Sequence, residues 1–149
     1  MSRLGSPNAD DHPDAAHKHL LDAGVLLAQK RADGAAYLSG YVVECALKSL
    51  WLHETGALTA NAIPRGKKGH DLGYLATHVS ALAAVAGAKS ARYFKTATSG
   101  VPSSAIAAWT PEMRYRSPTM ALVDAESWHA CARNVFQETV HQMRLDGVL

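Results

Sequence analysis

The stretch GAAYLSGYVVECALKSL, Gly34 to Leu50, decides how the chain is read. Its apolar residues recur at the three- and four-residue spacing of a buried amphipathic helix. That spacing puts Tyr37, Tyr41, Glu44, Lys48 and Trp51 along one side. Glu44 and Lys48 are four apart in the favourable order. On an open surface such a pair is worth only about 0.3–0.5 kcal/mol. Here the flanking residues are Val42, Val43, Cys45, Ala46, Leu47 and Leu50, so at least one of the two charges is expected to be half buried. The pair is either an ion pair on a helix rim or a polar spot in a groove, where Glu44 orients an arginine from elsewhere.

Outward from this helix the pattern stays helical. Asp14 is a candidate cap for a first helix to about Lys30, with Ala16, Leu20, Ala23 and Leu27 inward. Ala32-Asp33-Gly34 reads as a short break with Asp33 capping the second helix, which makes the two helices antiparallel neighbours. Gly56 ends helix two. A basic loop follows, Arg65-Gly66-Lys67-Lys68-Gly69, and His70-Asp71 starts a third helix with Leu72, Leu75, Val79 and Leu82 inward. Gly87 interrupts that helix, and a short fourth helix is expected over Lys89 to Thr98. Ser99 to Pro118 holds Gly100, Pro102, Pro111 and Pro118, which exclude a continuous helix. Its Trp109, Met113 and Tyr115 indicate that it packs onto the rest. The last helix is expected from near Pro118 to about Met143, burying Leu122, Ala125, His129, Ala132, Phe136 and Met143. The expectation is an all-α up-and-down bundle of four to five helices with one long ordered connection. Residues 1–13 read as a disordered leader and 14–149 as the bundle.

The bulk numbers agree with one soluble domain: 149 residues, 48% hydrophobic, 19% charged, with abundant Ala. A formal net charge of +2 does not by itself imply nucleic-acid binding. No apolar run is long enough to span a bilayer, so no membrane is expected, and Cys45 and Cys131 read as core thiols of a cytoplasmic protein. Trp128 and Val135, seven apart, form either a dimer stripe or ordinary core.

Several residues have chemistry to offer. Arg114-Tyr115-Arg116 follows Trp109 in the irregular segment, and a guanidinium in a constrained aromatic loop grips phosphate in two places. Arg114 can instead hold the loop down by capping a helix or pairing with Glu44. His70 is either part of a helix start or a general acid/base, since histidine titrates near neutrality. Arg65, Lys67 and Lys68 supply charge that contacts phosphate or simply faces solvent. His17 and His19 face different sides of a helix, and His70 and His78 are eight apart. No metal site and no cofactor is expected.

The succession DGAAYLSGYVVECALKSL, then GHDLGYL, then Trp109 through Arg114-Tyr115, then a long last helix resembles the HEPN family (higher eukaryotes and prokaryotes nucleotide-binding), in particular its small stand-alone prokaryotic members. The likeness spans roughly Asp14 to Met143. It implies a helical bundle that dimerises, works on RNA or nucleotides in toxin–antitoxin or antiviral defence settings, and has a small nucleotidyltransferase as partner. Many members are metal-independent ribonucleases that leave a cyclic phosphate. They use an Arg, commonly followed by a polar residue, and a His after four to six intervening residues on a late helix. Here Arg133-Asn134 and His141 are separated by seven residues and fall about 80° apart on a regular helix. Arg65 and His70 match the spacing, but in a loop. Two site sets follow: Arg133 and His141 with Asn134 aligning the Arg, or His70 and Arg114 with Glu44 and Lys48 behind them. The slight preference is for the second, which joins the three recognisable segments. Lys48, Arg65, Lys67, Lys68 and Arg116 are the residues expected to hold RNA phosphates. The alternative function is a non-catalytic module binding nucleotide, RNA or the nucleotidyltransferase.

Overall fold

In a computed structural model describing residues 2–4, 10–56 and 63–149, the chain is an all-α bundle with no strand among the described residues. Its long helices are α1 (His12–Ala28), α2 (Ala32–Thr55), α3 (Leu72–Ala83) and α5 (Leu122–Phe136); α4 (Thr96–Ser99) is a single turn. α5 runs on through one π turn, Gln137–His141, into a last turn, α6 (Gln142–Leu145). No helix among the described residues is long and apolar enough to cross a membrane.

The centre of the molecule is α2. Every residue from Val42 to Leu52 is buried, as expected of a helix enclosed on all sides. α1, α3 and α5 surround it. Buried Ser39 and Ser49 turn their hydroxyls back to the carbonyls of Ala35 and Cys45, each at 2.7 Å, so no partner from another helix is needed. Gly56 ends α2 at φ 65°, the left-handed cap its sequence position predicts.

Several boundaries differ from expectation, for local reasons. Asp11, not Asp14, caps α1 by accepting the Asp14 amide at 3.1 Å, while the Asp14 carboxylate pairs with Arg144 at 2.8 Å. Ser2 also donates to Asp11, and Leu4 is buried, so Ser2–Leu4 is held against the bundle; the rest of the expected leader, residues 1 and 5–9, lies outside the described residues. The break between α1 and α2 falls at 29–31, with Lys30 at φ 57°. Asp33 caps nothing. Its carboxylate crosses to the amides of Thr119 and Met120 at 2.9 and 3.1 Å and anchors the far end of the long connection.

The helix expected over Lys89–Thr98 is instead a 3-10 turn (Lys89–Tyr93) followed by α4. Carboxylates from elsewhere take up the amides that would have extended it: Glu54 accepts from Ser90 at 2.6 Å, and Glu138 accepts from Ala97 and Thr98 at 2.9 Å each. Residues 101–115 form three further 3-10 turns, the ordered connection. α5 starts at Leu122, past the last proline. Its buried side is Ala125, Trp128, Ala132, Val135 and Phe136, continued by Val140 and Met143, with Leu122 and His129 only half buried. Trp128 and Val135 therefore belong to the core and form no exposed dimer stripe.

One contact positions everything that follows. Trp109 is buried against α2, and its indole N–H donates to the Tyr37 carbonyl at 2.9 Å. A Cβ on Gly40 would lie 2.1 Å from the indole, so only glycine lets the connection lie this close.

Candidate functional site

Trp109 brings the 3-10 turn Pro111–Tyr115 to the same side of α2 as the 3-10 turn Gly66–His70. The second turn is held by a close approach of its own: a Cβ on Gly69 would meet the Pro64 carbonyl oxygen at 2.2 Å. Between the two turns lies a cavity of about 710 Å³. Lys67, His70, Trp109, Glu112 and Arg116 are among the residues lining it.

Glu44 lies beneath this cavity, 3% exposed, and both its oxygens are used. Oε1 accepts from the Lys48 ammonium at 2.6 Å, and Lys48 is itself only 8% exposed. Oε2 lies 2.9 Å from Nδ1 of His70, whose side chain keeps 43% of its surface in the open. A carboxylate shared with an ammonium can only accept, so Nδ1 carries the hydrogen and Nε2 is left for whatever enters the cavity. A buried carboxylate that fixes the orientation of a half-exposed imidazole supports proton transfer at the other ring nitrogen. The sequence anticipated that Glu44 orients a partner from elsewhere. The partner is His70, not an arginine.

The remaining anticipated residues divide. Arg116 and Lys67 line the cavity. Lys68 turns away, its ammonium 5.4 Å from the Tyr74 ring centroid. Arg65 is exposed at the head of the Gly66–His70 turn. Arg114 is one step removed: it lies over the Tyr115 ring at 4.8 Å, and the phenols of Tyr115 and Tyr37 raise its already high pKa. Tyr37 in turn shares a hydroxyl–hydroxyl bond of 3.2 Å with Tyr41. Burial, reinforced by that bond, raises the Tyr41 pKa, so its phenol stays protonated. Arg114 thus holds the connection to α2 through tyrosine.

Arg133, Asn134 and His141 lie far along the chain on α5 and its π turn, all three exposed. A π turn takes up about one residue more than an α turn, so the eight-residue step from Arg133 to His141 behaves like seven, about 20° apart. The two side chains therefore leave the same face. No hydrogen bond or ion pair joins them. The His141 ring lies 6.4 Å from the Phe136 ring, on which His17 stacks at 5.6 Å.

The sequence reading missed Glu112 and His12. Nothing in the spacing links Glu112 to His70, because the link is Trp109 seated on Gly40. His12, half-buried, has its pKa lowered by burial and by the charge of Lys48. Cys45 is no nucleophile: burial first, then Glu44, pushes its thiol up to about 12. Among the described residues no three His, Cys, Asp or Glu side chains converge as a metal site would need. Comparison with protein-family models, with curated proteins and with solved structures finds no match.

Proposed function

We propose that the protein is an endoribonuclease that needs no metal ion and transfers the scissile phosphate to the neighbouring 2′-hydroxyl, leaving a cyclic phosphate. The observation that carries this reading is the 2.9 Å pairing of His70 with buried Glu44 at the wall of a cavity that Lys67 and Arg116 also line. His70 moves protons at Nε2, with Glu44 holding the ring and Lys48 holding Glu44. Lys67 and Arg116 neutralise the charge that builds on phosphorus-bound oxygens. The resemblance of the Gly34–Leu50 stretch to HEPN proteins adds RNA as the substrate class, a homodimer as the working form and a nucleotidyltransferase as a partner within a toxin–antitoxin or antiviral defence system.

The test is cleavage of a mixed RNA pool by the purified chain in EDTA, wild type beside His70→Ala, Arg114→Ala and His141→Ala. The expected result is cleavage with cyclic-phosphate ends, slowed about 10²–10⁴-fold in His70→Ala and unaffected in His141→Ala. Arg114→Ala is expected to lose far less, since Arg114 acts through Tyr37. Loss in His141→Ala with His70→Ala active would move the site to α5. A folded wild type that binds RNA without cutting it would make the protein a binding module.

A further inference from the structure

Cleavage by phosphoryl transfer to the 2′-hydroxyl needs two proton movements, and the pairing of His70 with Glu44 accounts for one of them. Three carboxylates stand at this end of the molecule. Glu44 has given one oxygen to Lys48 and the other to His70. Asp71 caps α3, accepting the Tyr74 amide at 2.8 Å. Glu112 lines the cavity beside His70 and Lys67, is exposed, and forms no ion pair with a described residue.

Resting on the ribonuclease reading, we infer that Glu112 is a second catalytic residue, the base that takes the 2′-hydroxyl proton, and that His70 is the acid. Glu112 lies on the Pro111–Tyr115 turn that Trp109 pins to α2, so its backbone is fixed relative to His70. Its own backbone N–H holds its carboxyl below the ordinary glutamate range, and the charges of His70 and Lys67 add to this. It is therefore ionised at neutral pH, the form in which a carboxylate can take a proton. His70 is placed for the acid role by geometry: Glu44 holds its ring at Nδ1 and leaves Nε2 toward the cavity.

The step balances without a further reactant. Glu112 takes the proton from the 2′-hydroxyl, and O2′ forms a bond to phosphorus. The bond from phosphorus to O5′ breaks, and O5′ takes the proton from Nε2 of His70. The products are a 2′,3′-cyclic phosphate and a 5′-hydroxyl. Glu112 is left protonated and His70 neutral, and solvent exchange resets both.

The experiment compares wild type, Glu112→Gln, Glu112→Asp and His70→Ala on two substrates. One is an oligodeoxynucleotide with a single internal ribose. The other is a nucleoside 3′-(4-nitrophenyl) phosphate, whose leaving group departs without an acid. Glu112→Gln is expected to slow both by about 10²–10⁴-fold and to erase the acid limb of the pH–rate profile. Glu112→Asp should recover part of the rate. His70→Ala should be slow on the oligonucleotide and near wild type on the nitrophenyl ester. Unaltered cleavage by Glu112→Gln, or rescue of Glu112→Gln by the nitrophenyl ester, overturns the assignment of Glu112 alone. A wild type inactive on both substrates overturns the ribonuclease reading and this assignment with it.

Discussion

The chain carries His and Arg together in two places, and the two are built differently. At α2, a buried carboxylate, a buried ammonium and a half-exposed imidazole interlock under a cavity. On α5, Arg133 and His141 share a face but stand in solvent with no bond between them. Burying charges costs several kcal/mol per ion before pairing returns it. A helix that encloses Glu44 and Lys48 in its core has a cost that the surface pair on α5 does not. The difference shows what to look for when a motif is ambiguous: residue types in a suitable order are cheap, while buried ionic groups that constrain a titratable side chain are not.

The sharpest way to break this comparison is to remove Glu44. Glu44→Ala leaves the Lys48 ammonium buried without a partner, and the expected loss is about 3–5 kcal/mol in urea unfolding. Restoring most of it with the double variant Glu44→Leu/Lys48→Met would show that the pair serves the site rather than the fold. Next comes Gly40→Ala, which drives a methyl group into Trp109 and is expected to cost about 1–3 kcal/mol. A melting temperature equal to wild type would mean that Trp109 is not seated as described. On α5, His141→Ala and Arg133→Ala should each stay within about 0.5 kcal/mol of wild type. A loss of 2 kcal/mol or more at either would show that the face is buried in solution by another chain.

The smallest effect is in pH. Burial holds His12, His53 and His129 below the ordinary histidine value of 6.5, with Lys48, Lys89 and Arg133 respectively pushing the same way. The unfolded chain therefore binds more protons than the folded one as pH drops through 6.5. This contribution to stability is complete above that value and declines below it. Urea midpoints that hold steady from pH 7.5 down to 5.5 would contradict it.

Much of the bundle was legible from the sequence, and the reasons for the rest are physical. α2 was readable because its apolar spacing is dense and Gly56 marks its end. Lys89–Thr98 was not, because its course is decided by Glu54 and Glu138, carboxylates 36 and about 40 residues away that take up its amides. Asp33 looked like a cap because its local setting suits one. It was recruited instead by Thr119 and Met120. At the site, Glu44, Lys48 and His70 could be singled out from residue type and neighbours. Glu112 could not, since its place depends on an indole meeting a glycine 69 positions earlier.

That indole contact also governs the order of assembly. The α1–α2 hairpin closes over three residues and can form in microseconds, whereas the Trp109 bond to Tyr37 spans 72 residues of chain. Contacts of such separation form late, so weakening this one should quicken unfolding more than it slows folding. The Trp109→Phe chevron should therefore move chiefly on its unfolding arm. In a variant that lacks this bond, the 101–118 segment would be freer to leave α2 while the hairpin is still intact.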